Sequence, residues 1–353
     1  MKLVIVGATG NVGTSLLAAL REETAIEEIV AIARRPAELA DARTRFVAAD
    51  ITHDDLVEHF RGADAVVHLA WLIQPSRDDR TLHAVNVDGS RRVFEAAAEA
   101  HVRALVYASS VGVYAPGPKD RAVDESWPAT GIQSLFYSRH KAETERLLDI
   151  LEREHPRLRI VRLRPALIFK REAATEIRRL FVGPLLPSAL VRRELIPAVP
   201  DAPRLRVQGV HSLDIGEAYR LAVMRDVRGA FNVAAEPVID AEVLSELLHA
   251  RRVPVRPRFL RAAADVSWRL HLQPSPAGWV DLALSVPVMD STRARTELGW
   301  QPRFTATEAL TELLDGMREN ADFPTPPLAG GTGGPARVKE LLTGVGARGG
   351  TAP

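Results

Sequence analysis

Leu3-Val4-Ile5-Val6-Gly7-Ala8-Thr9-Gly10-Asn11-Val12-Gly13 decides the fold of this chain. A short apolar run, mostly β-branched, reads as a buried strand. Three glycines at intervals of three follow it, and Val12–Glu22 has a helical pattern. Glycine between a strand and a helix permits a tight turn. It also lets backbone N–H groups approach a pyrophosphate, where the helix N-terminus adds a favourable field. Alone, such a turn would equally suit glycines kept only for packing.

Working outward, similar runs recur at Ile29–Ala33, Arg45–Ala48, Ala65–Leu69, Ala104–Ala108 and Arg159–Leu163. Helical patterns such as Asn86–His101 lie between them. Continuous apolar strands alternating with helices predict a parallel sheet covered on both faces. The fold class is therefore α/β, a doubly wound parallel sheet of the Rossmann type, with ligands at the carboxyl ends of the strands.

Tyr137-Ser138-Arg139-His140-Lys141 places a phenol and an ammonium four residues apart, on one face of a helix. The positive charge is expected to lower the phenol pKa toward a range useful for proton exchange. Ser109 and Ser110 follow the run ending at Ala108. A dinucleotide turn combined with a Ser/Tyr/Lys group points to nicotinamide redox chemistry.

Together these residues resemble the extended short-chain dehydrogenases/reductases of the NAD-dependent epimerase/dehydratase type. The resemblance runs over about residues 1–315. It includes His68-Leu69-Ala70, Asn86-Val87-Asp88-Gly89, Ser109 to Tyr114, Arg164-Pro165, Val210 to Ile215, Phe231-Asn232-Val233 and Leu298 to Pro302. It implies that Tyr137 is the general acid/base and that Lys141 favours its phenolate and binds the nicotinamide ribose. Ser110, four residues before Tyr114, would bond the reacting oxygen. Asn86 would support the lysine through backbone and water contacts, a role compatible with a helix N-cap. The implied cofactor site comprises Gly7, Thr9, Gly10, Asn11, Val12, Gly13, Arg34, Arg35, Asp50, Ile51, Leu69, Ala70, Trp71, Asn86, Ala108, Ser109, Tyr137, Lys141 and Pro165. Trp71, Ser110, Tyr114 and Lys170 would meet substrate. The cofactor is NAD(P). Arg34 and Arg35 stand where an acid usually binds the NAD ribose, which tilts the expectation toward NADP.

Departures from the family narrow the chemistry. Dehydratases carry an acid pair after the catalytic Ser/Thr, where this chain has Val111 and Gly112. Decarboxylases lose ground for the same reason, and the absence of cysteine removes the 3,5-epimerase/4-reductases. A 4-epimerase and a carbonyl reductase or alcohol dehydrogenase remain. Ala166-Leu167-Ile168-Phe169-Lys170 lacks the asparagine that many nucleotide-sugar enzymes use to hold a diphosphate. Lys170, Arg171, Arg178, Arg179, Arg192 and Arg193 are the cations that would replace it, unless they merely solvate helix faces. Trp71-Leu72-Ile73-Gln74 borders the substrate or packs the core. His211 and Asp214 lack a third ligand and read as structural. A cofactor-sensing scaffold is the reading from another class; such proteins commonly lose the tyrosine or lysine, and both are present here.

The 353 residues carry a net charge of +1, which favours neither nucleic acid nor membrane. No cysteine is present, which fits a reducing compartment, and cytoplasmic placement is the expectation. No apolar stretch is long enough to span a bilayer, and the strand-like run at Leu3 leads us to expect no signal peptide. The only lysines are Lys2, Lys119, Lys141, Lys170 and Lys339, so a lysine at the motif position carries weight. The expected division is a Rossmann domain over 1–166, with 207–235 returning to it. A smaller substrate domain would span 167–206 and 236–322, and a disordered Pro/Gly-rich tail 323–353. A small-molecule substrate is expected, and the resemblance extends the family's homodimer to this chain.

Overall fold

The computed structural model describes residues 1–37, 41–73, 77–178, 181 and 196–329. The first half runs β1 (Lys2–Val6), α1 (Asn11–Ala19), β2 (Glu28–Ala33), β3 (Thr44–Ala48), α2 (Leu56–Phe60), β4 (Ala65–His68), α3 (Asp79–His83), α4 (Gly89–Glu99), β5 (Ala104–Ala108), β6 (Ala122–Val123) and α5 (Phe136–Glu154). Then come β7 (Arg159–Pro165), β8 (Leu167–Phe169), α6 (Ala174–Ile177), β9 (Ala198–Asp201), β10 (Val207–His211), α7 (Ser212–Met224), β11 (Gly229–Val233) and β12 (Ala235–Ile239). The remainder is α8 (Ala241–Leu248), β13 (Arg251–Pro254), α9 (Pro257–Arg269), α10 (Gly278–Ser285), β14 (Val288–Met289), α11 (Thr292–Thr296) and α12 (Ala306–Glu319).

Seven strands form one parallel sheet in the order β11-β7-β5-β4-β1-β2-β3. The alternation of strand side chains explains its two covered faces. Leu3 and Ile5 point to one side, with Leu16 of α1 and Ile215 and Tyr219 of α7. Val4 and Val6 point to the other, with Phe60, Phe94 and Leu148 of α2, α4 and α5. The strand order reverses between β1 and β4, and a ligand crevice opens at the carboxyl ends of strands at such a point.

The segment after β7 divides between two sheets. β11 joins the main sheet, whereas β10 pairs with β8 and β12 in a three-stranded sheet. That sheet packs Phe169 and Ile239 against Leu313 and Met317 of α12. A capping box between Thr305 and Glu308 starts α12. Residues 323–329, expected to belong to a disordered tail, are packed. Leu328 is fully buried and Thr325 nearly so, because the chain after α12 folds back on itself before Gly330. Residues 330–353 lie outside the described residues. So do Gln74, Arg179, Arg192 and Arg193.

Among the described residues, no helix is long and apolar enough to cross a membrane. Likewise no group of three potential ligands is arranged to hold a metal ion. His211 and Asp214 secure the junction of β10 and α7. His211 meets Glu312 at 3.0 Å, and the Asp214 carboxylate accepts bonds from the Arg303 and Phe304 backbone.

Candidate active site

The turn from β1 into α1 leaves no room for side chains at two of its glycines. Gly7 has φ +90°, and a Cβ there would lie 2.6 Å from the Ala70 nitrogen. A Cβ on Gly13 would lie 2.5 Å from the Ala8 carbonyl oxygen. Gly10 differs: a Cβ there would meet only the Gly7 oxygen, at 3.6 Å, so the protein itself does not demand glycine. The first N–H groups of α1 have no carbonyl of the same helix to bond. The Asn11 Oδ1 beside them is buried without a hydrogen-bond partner. Donors at a helix N-terminus with close backbone approach suit the pyrophosphate of a dinucleotide.

The residues expected to read the adenosine end lie beside this turn. Arg34 and Arg35 are exposed just after β2. Asp50 accepts bonds from the Thr52 N–H and hydroxyl, at 2.9 and 2.7 Å. Burial raises its carboxyl pKa, but these bonds and the Arg34 charge outweigh it and hold the pKa below the ordinary value. Its carboxylate therefore closes a local turn. Ile51 is buried under α4, and Leu69 is bonded through its N–H to the Val6 carbonyl. Ala108 and Pro165 end β5 and β7, at the same edge of the sheet.

Tyr137 and Lys141 both lie on α5, as their spacing predicts. Ser110 hydrogen-bonds Tyr137, and Ser110 also accepts the Gly112 N–H at 3.0 Å. Gly112 has a steric role that the sequence did not reveal: a Cβ there would lie 2.9 Å from Cε1 of Tyr137. The acid that dehydratases carry in this segment would displace the tyrosine ring.

The expected lowering of the Tyr137 pKa is not what the environment produces. Burial raises it, and the Ser110 bond only partly offsets this. The Lys141 ammonium is turned elsewhere, donating to the Ala108 carbonyl at 2.6 Å and lying 3.5 Å from the Trp71 ring centroid. Burial in turn holds the Lys141 pKa well below the ordinary lysine value, with Glu145 opposing the shift.

Asn86 does not cap a helix. It sits in a widened turn ahead of α4, and its amide grips the Leu72 backbone at both ends, at 2.7 Å each. It thereby fixes the strand-end segment that carries Trp71. Two expectations about substrate contacts shift. Tyr114 is fully buried, its hydroxyl between Asn232 and Arg164, and so cannot meet substrate. Lys170 is buried against α1, donating to Thr14 at 3.1 Å and Ser15 at 3.2 Å. The Ser109 hydroxyl points to Glu145 at 2.5 Å.

Glu145 anchors a buried network behind the site. Its carboxylate takes a bidentate fork from Arg164 as well as the Ser109 bond. Four residues beyond Lys141, it lies on the same helix face, so its placement was legible from spacing. The aromatic wall was not. Tyr137 lies 5.2 Å from Trp279 of α10 and 6.0 Å from Trp71, and Phe181 meets Trp279 edge-on at 5.0 Å. Leu72, Val111, Leu135 and Leu282 complete an apolar cluster there.

Comparisons with known proteins identify the family and the fold. Residues 3–190 match the family described as NAD dependent epimerase/dehydratase, and the chain belongs to that family. An uncharacterized protein of Mycobacterium tuberculosis is 27% identical over 321 residues, covering 90% of this chain. The chain spans only 30% of that relative's length. A 4-hydroxy-2-methyl-3-oxo-4-farnesyl-3,4-dihydroquinoline-1-oxide ketoreductase of Stigmatella aurantiaca is 25% identical, covering 89% of this chain and 96% of its own. A solved structure of Thermus thermophilus UDP-glucose 4-epimerase with NAD superposes with a TM-score of 0.66 at 21% identity. It covers 90% of this chain and 99% of its own, and at that identity it shows the shared fold.

Proposed function

We propose that this family member is an NAD(P)-dependent oxidoreductase acting at a carbinol or carbonyl carbon of a bulky apolar substrate. The observation that carries the reading is the wall around Tyr137, built from Trp71, Trp279, Phe181 and aliphatic side chains. Such a wall suits an apolar alcohol or ketone better than a sugar diphosphate. Two cations that would hold a diphosphate are engaged elsewhere, Lys170 with Thr14 and Ser15, and Arg171 with Glu319.

The residues present fit a dinucleotide: the Gly7 and Gly13 cradle, the N-terminus of α1 and the unpartnered Asn11 oxygen. NAD(P) held there would supply or accept a hydride. Tyr137 would give its proton to a carbonyl oxygen during reduction, or take one from a hydroxyl during oxidation. Ser110 would hold that oxygen by a hydrogen bond, and Lys141 would stabilise the phenolate and bind the nicotinamide ribose. Arg34 and Arg35 support NADP(H), while the Thermus thermophilus neighbour carries NAD.

A 4-epimerase of nucleotide sugars is the second reading, favoured by the likeness in fold to the Thermus thermophilus enzyme. A substrate panel separates the two. Purified protein is given NADPH or NADH with apolar cyclic ketones, and separately UDP-glucose with NAD⁺. Ketone-dependent loss of reduced nicotinamide supports the reductase. Conversion of UDP-glucose to its 4-epimer without net cofactor turnover overturns it.

A further inference from the structure

We propose that α9 is a docking face for the surface of an anionic phospholipid bilayer. Phe259, Ala263, Val266 and Leu270 recur at intervals of four, three and four, which places them on one side of the helix. Phe259, Val266 and Leu270 are 57%, 55% and 63% exposed, and none of the helix's residues is buried. Leu272 continues the patch just beyond the helix. A helix of a folded domain ordinarily turns such a stripe inward. Here the other side makes the attachments: Arg77 packs on the Trp268 ring, and Arg261 pairs with Asp281 of α10 at 2.9 Å.

Charge identifies the partner. Although the whole chain carries +1, the stretch 251–272 holds six arginines (251, 252, 256, 258, 261 and 269) against one acid, Asp265; Arg252, Arg261 and Arg269 pair with Asp201, Asp281 and Asp265, and Arg251, Arg256 and Arg258 carry the excess. Arg258 lies over the Phe259 ring, and Arg258 and Arg269 border one edge of the apolar stripe on the helical wheel. An apolar face bordered by arginines is the pattern that seats a helix in the headgroup layer and draws it to anionic lipid. Such docking departs from the expectation, drawn from net charge, that nothing favours a membrane.

Position gives the docking a use. α9 packs on α10, whose Trp279 lines the wall beside Tyr137, and Arg77 follows the segment that carries Trp71. A bilayer-dissolved substrate would thus be presented near the cleft. That consequence rests on the proposed apolar substrate; the docking itself rests on α9 alone.

The test is co-sedimentation of the full chain with sucrose-loaded vesicles. Vesicles of phosphatidylcholine alone are compared with vesicles containing about a third phosphatidylglycerol. We expect binding to the anionic vesicles, weakened by salt, and a more than tenfold lower partition coefficient for F259S/V266S/L270S. R256Q/R258Q/R269Q should lose the preference for anionic lipid. Unchanged far-ultraviolet circular dichroism and cofactor binding show that the variants fold. No binding by the wild type, or equal binding by the apolar variant, overturns the proposal. So does conversion of a wild-type dimer to a monomer by F259S/V266S/L270S without any vesicle binding, which would make α9 a surface between copies of the chain. A protein that docks yet turns over no apolar ketone would refute the substrate reading and leave the docking standing.

Discussion

The Lys141 ammonium lies 3.5 Å from the centroid of the Trp71 ring, much nearer than the Tyr137 ring centroid at 5.9 Å. A desolvated cation over an indole contributes about 1–2 kcal/mol. Trp71→Leu should lower stability by about that amount in urea unfolding. Because a bound nicotinamide ribose would compete for the same ammonium, cofactor binding should change tryptophan emission in the wild type, and Trp71→Phe should lose most of the change. An emission response equal in both would show that Trp71 does not sense the site.

Arg164 and Glu145 form a buried ion pair with two hydrogen bonds between them. Removing one partner leaves the other charge uncompensated. Arg164→Met should destabilise the protein by about 3–5 kcal/mol. Glu145→Met in the same chain should recover part of the loss, and a double-mutant cycle in urea measures the coupling. Strict additivity would contradict the pairing.

His68 is fully buried beside Ser90, and burial, with help from the Lys141 charge, depresses its pKa to about 3. The unfolded chain binds a proton near pH 6.5, whereas the folded chain refuses one until about pH 3. Stability contributed by the neutral imidazole is therefore present above pH 6.5 and is lost as pH falls through that window. Unfolding midpoints between pH 7 and pH 4 should fall, and His68→Gln should flatten that slope by a few kcal/mol. An unchanged slope would mean that His68 titrates normally.

The two close-packed glycines make separable predictions. Gly13→Ala places a carbon 2.5 Å from the Ala8 oxygen and should lower both stability and cofactor affinity. Gly112→Ala meets Tyr137 at 2.9 Å and should lower kcat at least about tenfold, since about 1 Å of misplacement is enough for such losses. Cofactor affinity should stay within about threefold, by calorimetry, because the strain falls on the tyrosine and not on the glycine turn.

What the sequence disclosed, and what it hid, follows from the range of each interaction. The strands of the parallel sheet were legible because both of their faces are buried, as Leu3 and Val4 illustrate. Tyr137 and Lys141 were legible because four residues make one helical turn. Tyr114 and Lys170 were misplaced because the partners that bury them, Asn232 and Thr14, are far away in the chain. Trp279 stands 142 residues from Tyr137 and carries no local signal. The pKa of Tyr137 went the other way because burial, which spacing does not encode, raises it, and the Lys141 ammonium is turned toward Ala108 and Trp71. Composition places residues 323–329 in a disordered tail, whereas Leu328 is packed through contacts that composition does not encode.

The most direct test of the redox reading is calorimetric titration of the purified chain with NADPH and with NADH, alongside Tyr137→Phe and Gly13→Ala. The account predicts saturable one-to-one binding of a nicotinamide nucleotide by the wild type, with NADPH the tighter. Tyr137→Phe should bind comparably while losing about 10²–10⁴-fold in turnover, and Gly13→Ala should bind poorly. A wild-type protein that binds neither nucleotide would contradict the account at its foundation.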